Sequence, residues 1–245
     1  MNQIDAEKLV TIWEHRRAVQ NLMGIFSGHY LLKREKDVVS DLFANRADIC
    51  LGVNTGYYAG ADAVTGYYDA LHQKNLLTTK LIMEKFPERF AGKTEEEAYG
   101  CGLLNYKPLD TPVVEIAGDM QTARGIWTCR NSYSDLTAGG PVTFYEWGWV
   151  AADFVREGES WKIWHLLLLN DVHVQAGLRY YEADKPYPAV KGFEAMADFQ
   201  MPEPSVKAVL RAPYAPDRPR TPAPKPPVPY ETFAETDSYG YREGA

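Results

Sequence analysis

The stretch that decides the fold is Thr143–Val174, TFYEWGWVAADFVREGESWKIWHLLLLNDVHV. It holds four of the six tryptophans and two of the five histidines, in two aromatic and branched runs. Between the runs lies Arg156-Glu157-Gly158-Glu159-Ser160, a charged, glycine-bearing break, so the whole reads as a long β-hairpin. Odd positions carry Tyr145, Trp147, Trp149 and Asp153, then Trp161, Ile163, His165, Leu167 and Leu169. Even positions carry Phe144, Val150 and Phe154, then Trp164, Leu166 and Leu168. Both faces are bulky and apolar, whereas an antiparallel sheet with one wet face alternates apolar with polar. Such a sheet needs cover on both sides, for instance a helix-roofed pocket on one and another subunit on the other. The few polar groups left inside, Asp153 and His165, become candidates for chemistry.

Composition bounds the rest. At 245 residues and 45% hydrophobic content, the chain can bury one substantial core, or a domain plus an extension. A net charge of −7 without a Lys/Arg cluster argues against a nucleic-acid partner. No apolar run approaches the roughly 18–20 residues that span a bilayer, and MNQIDAEKLV lacks a signal-peptide core, so a cytoplasmic location is expected. Cys50, Cys101 and Cys129 show no metal or redox spacing and are expected to be reduced, mostly buried thiols.

Residues 5–30 place Leu9, Ile12, Trp13, Val19, Leu22, Met23, Phe26 and Tyr30 mostly at three- and four-residue steps, one face of an amphipathic helix capped by Asp5. A short helix is expected near Lys36–Phe43, a strand at Ile49–Leu51, a turn or edge hairpin at Thr55–Gly60, and helices over Ala61–His72 and Thr79–Phe90. From Thr111 the period changes to two, giving strands over Val113–Ala117 and Ala123–Tyr133 before the opening hairpin. Residues 1–178 therefore form one domain. Residues 179–245 differ in kind, since twelve of the sixteen prolines fall within 183–245. Proline-rich chain prefers extended conformation and builds no core of its own. A disordered tail is the alternative, but its aromatics (Tyr180, Tyr181, Tyr187, Tyr214, Tyr230, Phe233, Tyr239 and Tyr241) are expected to anchor it as an arm on the body or on a neighbouring subunit.

Helices first and then a curved antiparallel sheet make an α+β cone. The order of elements resembles the NTF2-like superfamily, in its SnoaL-like branch of small cofactor-independent enzymes. The stretches that carry the resemblance are NLMGIFSGHYLLKREKDVVSDLFA, GYYAGADAVTGYY, TPVVEIAGDMQTARGIW and DFVREGESWKIWHL, which together cover most of residues 5–175. Within that branch, the proline-rich arm and the tryptophan-laden sheet look most similar to the diarylpropane lyases of bacterial lignin catabolism. That likeness implies release of the γ-carbon of a diaryl 1,3-diol as formaldehyde, leaving a stilbene. The same cone also hosts dehydratases and isomerases of aromatic or steroid-like alcohols, and non-catalytic binders of aromatic ligands.

SnoaL-like enzymes commonly place a polar group at the end of the first helix, over the cone mouth, which points to His29 and Tyr30. Neighbouring helical residues diverge by about 100°, so only one of the two points straight inside. Tyr30 continues the apolar stripe and is the inward candidate or else a core tyrosine; His29 serves the site or caps the helix. Asp153 and His165 form the sharper pair. A turn centred on Gly158 sets Asp153 opposite Ile163, with His165 diagonal on the same face, where a carboxylate raises the basicity of an imidazole. A register slip of one residue separates them, and the alternative to chemistry is a structural hydrogen bond or a pair of exposed edge groups. Trp127, Cys129, Asn131 and Tyr133 share a face of the preceding strand, and Trp147 and Trp149 one of the next. With Tyr57, the residues Trp127, Asn131, Trp147 and Trp149 are expected to line a site for a flat aryl substrate, the tryptophans being divided between that site and a dimer interface. His15 and His72 lie among charged helical neighbours and are expected to be solvated; Asp171 and His173 sit near the strand end as rim residues. No metal spacing, phosphate-cradling loop or nucleophile elbow appears, so no metal and no cofactor is expected. The expected partner is a small aromatic substrate, with a homodimer or higher homo-oligomer and no membrane.

Overall fold

The computed structural model describes residues 6–179, 190–219 and 224–242. Helices come first: α1 (Ala6–Leu31), α2 (Asp37–Leu42) and α3 (Ala61–Lys85), with β1 (Cys50–Val53) and β2 (Gly56–Ala59) as a hairpin before the last of them. After the single turn α4 (Glu95–Ala98) come β3 (Asn105–Tyr106), β4 (Leu109–Ile116), β5 (Thr122–Thr137), β6 (Gly140–Glu157) and β7 (Ser160–Gln175). The C-terminal part adds α5 (Ala195–Asp198) and β8 (Val206–Lys207). Among the described residues one sheet runs β3-β5-β6-β7-β1-β2-β8, with β4 also on β5; only β1 with β7 is parallel. Helices packed on this curved, unclosed sheet make the α+β cone.

The apolar stripe of α1 divides. Val19, Leu22, Met23, Phe26 and Tyr30 are buried against the sheet, whereas Leu9 and Trp13 stand exposed, Trp13 at 74%. The stripe therefore outruns the body that it covers. Burying Phe26 and Met23 fully is worth about 1.5–3 kcal/mol each, so the second half of the helix holds it in place. The Asp5 cap falls outside the described residues. The two helices expected at 61–72 and 79–90 are one, Ala61–Lys85. Gln73, Lys74 and Asn75 interrupt the apolar pattern, but no Gly or Pro breaks the helix between His72 and Thr79, and Asn75, Thr78 and Thr79 are buried along it.

Two bulges on β7 set which side chain faces where. Val155 pairs with Lys162 and Phe154 with Ile163, yet Asp153 pairs with His165, leaving Trp164 as the extra residue. A second irregularity skips Asp171 between Trp147↔Val172 and Gly148↔Asn170. The register expected from a turn centred on Gly158 is thus off, and Asp153 faces His165 rather than Ile163. Across the first bulge the parity of β7 switches. Trp161 and Ile163 join the helix-side core, and so do Leu166 and Leu168, while Leu167 and Leu169 pack on the opposite, outer face with Ile126, Ala151 and Trp149.

That outer face is covered by the C-terminal segment of the same chain. β8 extends the sheet beyond β2, and the Ala208 and Leu210 amides donate to the Thr55 and Asn54 carbonyls at 3.1 and 2.9 Å. Arg211 forms a buried ion pair with Asp171. Further along, the Gly118 and Asp119 amides donate to the Tyr230 and Glu231 carbonyls, and Phe233 packs on Trp164 at 4.7 Å between ring centroids. Tyr239 is buried in the outer cluster, Tyr241 meets Tyr57 at 5.7 Å, and the Tyr214 amide donates to the Asp171 carbonyl. Tyr180, Tyr181 and Tyr187 lie outside the described residues. With this segment in place, the second apolar face does not of itself require another subunit.

Candidate active site

Between the helices and the inner face of the sheet lies a cavity of about 340 Å³. This is within the range that takes a small organic ligand. Tyr30 from α1, Tyr67 and Asn75 from α3, Asn131 and Tyr133 from β5, and Glu146 from β6 line it, with Lys107 from the segment before β4. Asn131 and Glu146 stand directly opposite each other, and the Asn131 amide nitrogen donates to Glu146 Oε2 at 2.8 Å. This bond fixes the amide: turned the other way, its carbonyl would face a carboxylate. Asn131 is 2% exposed, and its Oδ1 meets no protein donor. Buried acceptors ordinarily have a partner, so this oxygen asks for a donor from a ligand or water.

The phenols around this pair are held protonated. Burial raises Tyr30 well above the ordinary tyrosine range, with Tyr68 and Tyr67 adding to it and the Glu146 charge contributing. Burial and then Glu146 likewise raise Tyr67 and Tyr133. The Lys107 ammonium sits 5.2 Å above the Tyr30 ring, a cation–π contact. At one edge Tyr133 OH and His173 Nε2 lie 2.9 Å apart, so His173 is tied to a pocket phenol. Towards another edge, the buried Glu35 accepts from Asn75 at 2.7 Å and from Tyr99 OH at 2.8 Å, and Tyr99 OH in turn meets His72 Nδ1 at 2.7 Å. His72 is therefore engaged rather than solvated. Burial first, then Lys36, lowers its pKa. His15 is engaged too, accepting from the Trp161 indole at 3.2 Å.

The residues singled out from the sequence are distributed over both faces. Tyr30, Asn131 and, on the adjoining inner core, Trp127 lie on the helix side. His29 is 4% exposed but bonds the Ile25 carbonyl and Asp41 Oδ2 at 3.0 and 3.1 Å, closing the helix end instead of lining the cavity. Tyr57 and Trp149 belong to the outer cluster, and Trp147 shares the Trp149 parity on β6. Trp149 donates its indole N–H to Asp171 at 3.2 Å.

Asp153 and His165 are also on the outer face, beneath the C-terminal segment. Asp153 is fully buried. Its Oδ2 accepts from His165 Nδ1 at 2.9 Å, Ser238 Oγ at 2.6 Å and the Tyr239 amide at 2.8 Å, while Oδ1 accepts from Arg124 Nε at 3.3 Å. Ser238 reaches the same imidazole nitrogen that serves Asp153, at 3.1 Å. In a Ser–His–Asp relay the two ring nitrogens serve different partners, so this cluster is built to clamp the segment, not to activate a nucleophile.

Period and parity do not mark Glu146, a carboxylate that lines the cavity beside Asn131. The signal was present: Glu146 is the one charged residue in Thr143–Val150, within a run otherwise aromatic, branched or small. Among the described residues, no group of three His, Cys, Asp or Glu side chains is placed to hold a metal, and all three cysteines are free thiols.

Several solved structures are similar to the chain at low sequence identity. A putative scytalone dehydratase from Novosphingobium aromaticivorans is 12% identical over 69% of this chain and 91% of its own, at a TM-score of 0.48. A protein of unknown function from Mycobacterium tuberculosis is 13% identical over 78% of this chain and 89% of its own, at 0.47. A type-3 LinA hexachlorocyclohexane dehydrochlorinase from Novosphingobium barchaimii is 14% identical over 67% and 92%, at 0.42. No curated protein matches the chain in sequence. The family model of the SnoaL-like domain matches residues 13–166, from α1 through the cavity-lining strands to the first half of β7. The chain belongs to the SnoaL-like domain family, built on the NTF2-like cone.

Proposed function

We propose that the cone cavity is the active site of a cofactor-independent lyase that cleaves a lignin-derived diaryl 1,3-diol to a stilbene and formaldehyde. The observation that supports this reading best is the Glu146–Asn131 pair. It offers a carboxylate and a buried amide oxygen side by side, both acceptors, in a cavity rimmed by phenols. A substrate that satisfies it brings hydroxyl groups on an aromatic frame, since an unpaired buried acceptor costs about 1–3 kcal/mol.

The chemistry follows from those parts. With a para-hydroxyl on one ring, the benzylic hydroxyl and the phenolic proton depart as water, leaving a quinone methide; Tyr30 hydrogen-bonds the departing oxygen. Glu146 then takes the proton of the γ-hydroxyl. The bond to the γ-carbon breaks, formaldehyde leaves, and the released electron pair restores the aromatic ring, whose oxygen regains a proton. The sum is diol to stilbene, formaldehyde and water. General acid–base help of this kind is worth about 10²–10⁴-fold.

Product analysis tests it. Incubation with a para-hydroxylated 1,2-diaryl-1,3-propanediol is expected to give a stilbene with one carbon fewer and one equivalent of formaldehyde. A product that keeps every carbon would mean dehydration or isomerisation by the same groups and would overturn carbon–carbon cleavage. Saturable binding without turnover would overturn the enzyme reading.

A further inference from the structure

A second cavity, of about 740 Å³, lies on the opposite side of the sheet, between its outer face and the C-terminal segment. Its floor is Tyr57, Leu167 and Leu169; its roof is Leu210, Tyr239 and Tyr241. The sheet separates it from the cone cavity, because Leu168 lines the one and Leu167 and Leu169 the other.

Its charge is the reverse of the chain's. The chain carries a formal −7. Four cations line this cavity, Arg124, Lys207, Lys225 and Arg242, against one carboxylate, Asp237. Arg124 is answered by Asp153 at 3.3 Å and lies 4.5 Å above the Tyr239 ring, and Lys207 is answered by Glu203. Lys225, Arg242 and Asp237 line the cavity besides, so its lining keeps a positive excess over an aromatic and aliphatic floor. Arg242 is near enough to the Tyr57 hydroxyl for its charge to act on that phenol.

From this juxtaposition we infer that the cavity between sheet and C-terminal segment is a second ligand site, selective for an aromatic carboxylate. The rings and leucines take up the flat apolar body. The cationic rim takes the carboxylate through charge-assisted hydrogen bonds, strongest where Arg presents its planar fork. The site is not part of the acid–base cavity and owes nothing to Glu146. Its roof includes Tyr239, a member of the Asp153 clamp, so an occupant bridges the segment to the sheet and holds it closed.

The test is calorimetric titration of the full chain with 4-phenylbenzoate, and with neutral 4-phenylbenzyl alcohol as its uncharged match. Expected is saturable binding of the carboxylate, weakened by added salt, with the alcohol bound at least roughly tenfold more weakly, the scale of one charge-assisted bond. The double variant Lys225→Glu/Arg242→Glu, at exposed or half-buried positions where the fold tolerates charge, is expected to lose affinity by roughly tenfold or more with an unchanged melting temperature. Asn131→Leu, in the cone cavity, is expected to bind the carboxylate as the unaltered chain does. Equal affinity for acid and alcohol, undiminished binding in the charge-reversed variant, loss of binding in Asn131→Leu, or no binding at all would each overturn the inference. All of these read binding, so their outcome is separate from whether the cone cavity turns over a diol.

Discussion

Asp153 and His165 are direct cross-strand partners, Nδ1 to Oδ2 at 2.9 Å, at the one place on the β6–β7 ladder where Trp164 is squeezed out of register. Asp153 faces outward with Ala151 and Trp149 on β6, and the bulge on β7 brings His165 to the same face. Asp153 then faces the C-terminal segment, and its carboxylate is the point where Arg124, Ser238 and the Tyr239 amide converge.

Asp153→Ala is therefore expected to cost stability before activity. Removing it leaves the Arg124 guanidinium and three further donors without their acceptor, a loss on the order of 3–5 kcal/mol for a broken buried pair. Urea denaturation measures the loss, and limited proteolysis is expected to cut within residues 224–242. Turnover per folded molecule is expected to change less than about tenfold, since the cone cavity lies across the sheet. A fall of roughly 10²-fold with stability intact would return the pair to the chemistry.

Glu146→Gln keeps the shape of the side chain and its bond to Asn131 but removes the proton acceptor. Turnover is expected to fall by roughly 10²-fold or more, with the melting temperature little changed. Steady-state kinetics on the diol decide it. Retention of the full rate would place the base elsewhere.

Alkaline pH is expected to loosen the C-terminal segment. Burial pushes the Tyr239 and Tyr230 phenols from the ordinary 10.0 up to about 12, with Asp153 adding to both. A raised folded-state value means that the unfolded chain gives up its protons first. The contribution of these two residues is whole below pH 10 and declines as the pH rises towards 12. Protease sensitivity of residues 224–242 is expected to rise within that window, and helical circular dichroism followed in parallel reads the cone, whose buried Tyr67 and Tyr133 are linked to pH in the same sense. Simultaneous loss of both signals would show that segment and cone form one cooperative unit.

Truncation after residue 199 removes the cover over Leu167, Leu169, Ile126 and Ala151. An apolar patch larger than a few hundred Å² is poorly tolerated in water. The shortened chain is expected to self-associate or aggregate at concentrations where the full chain keeps one defined mass, which light scattering reads directly. An unchanged mass and solubility would show that the segment contributes no cover.

Much of the cone is legible because period and parity carry it. The long hairpin, the helix ending at Tyr30 and the shared face of Trp127, Cys129, Asn131 and Tyr133 all follow from spacing, and they appear in the structure as a continuous inner wall. What spacing does not carry is a bulge. One extra residue at Trp164 moves His165 to the face opposite Ile163, so a pair read as lining a pocket becomes a clamp outside it. Glu146 is hidden for a related reason: a single acid within the apolar run FYEWGW breaks neither its period nor its parity. The outer cover is invisible to periodicity, because a proline-rich segment has no period and docks through isolated residues such as Phe233 and Tyr239.

The clamp on Asp153 has a consequence for the order in which the molecule assembles. Its partners Ser238 and Tyr239 follow 85 and 86 residues later in the chain, and β6 and β7 are made long before they emerge from the ribosome. Contacts so distant in sequence form late, because the loop that joins them must first be closed. A nascent cone therefore passes through an interval in which a buried-to-be carboxylate and a leucine-rich sheet surface face solvent together. In that interval the protein presents to chaperones, and to other nascent copies, a surface that the finished molecule never shows.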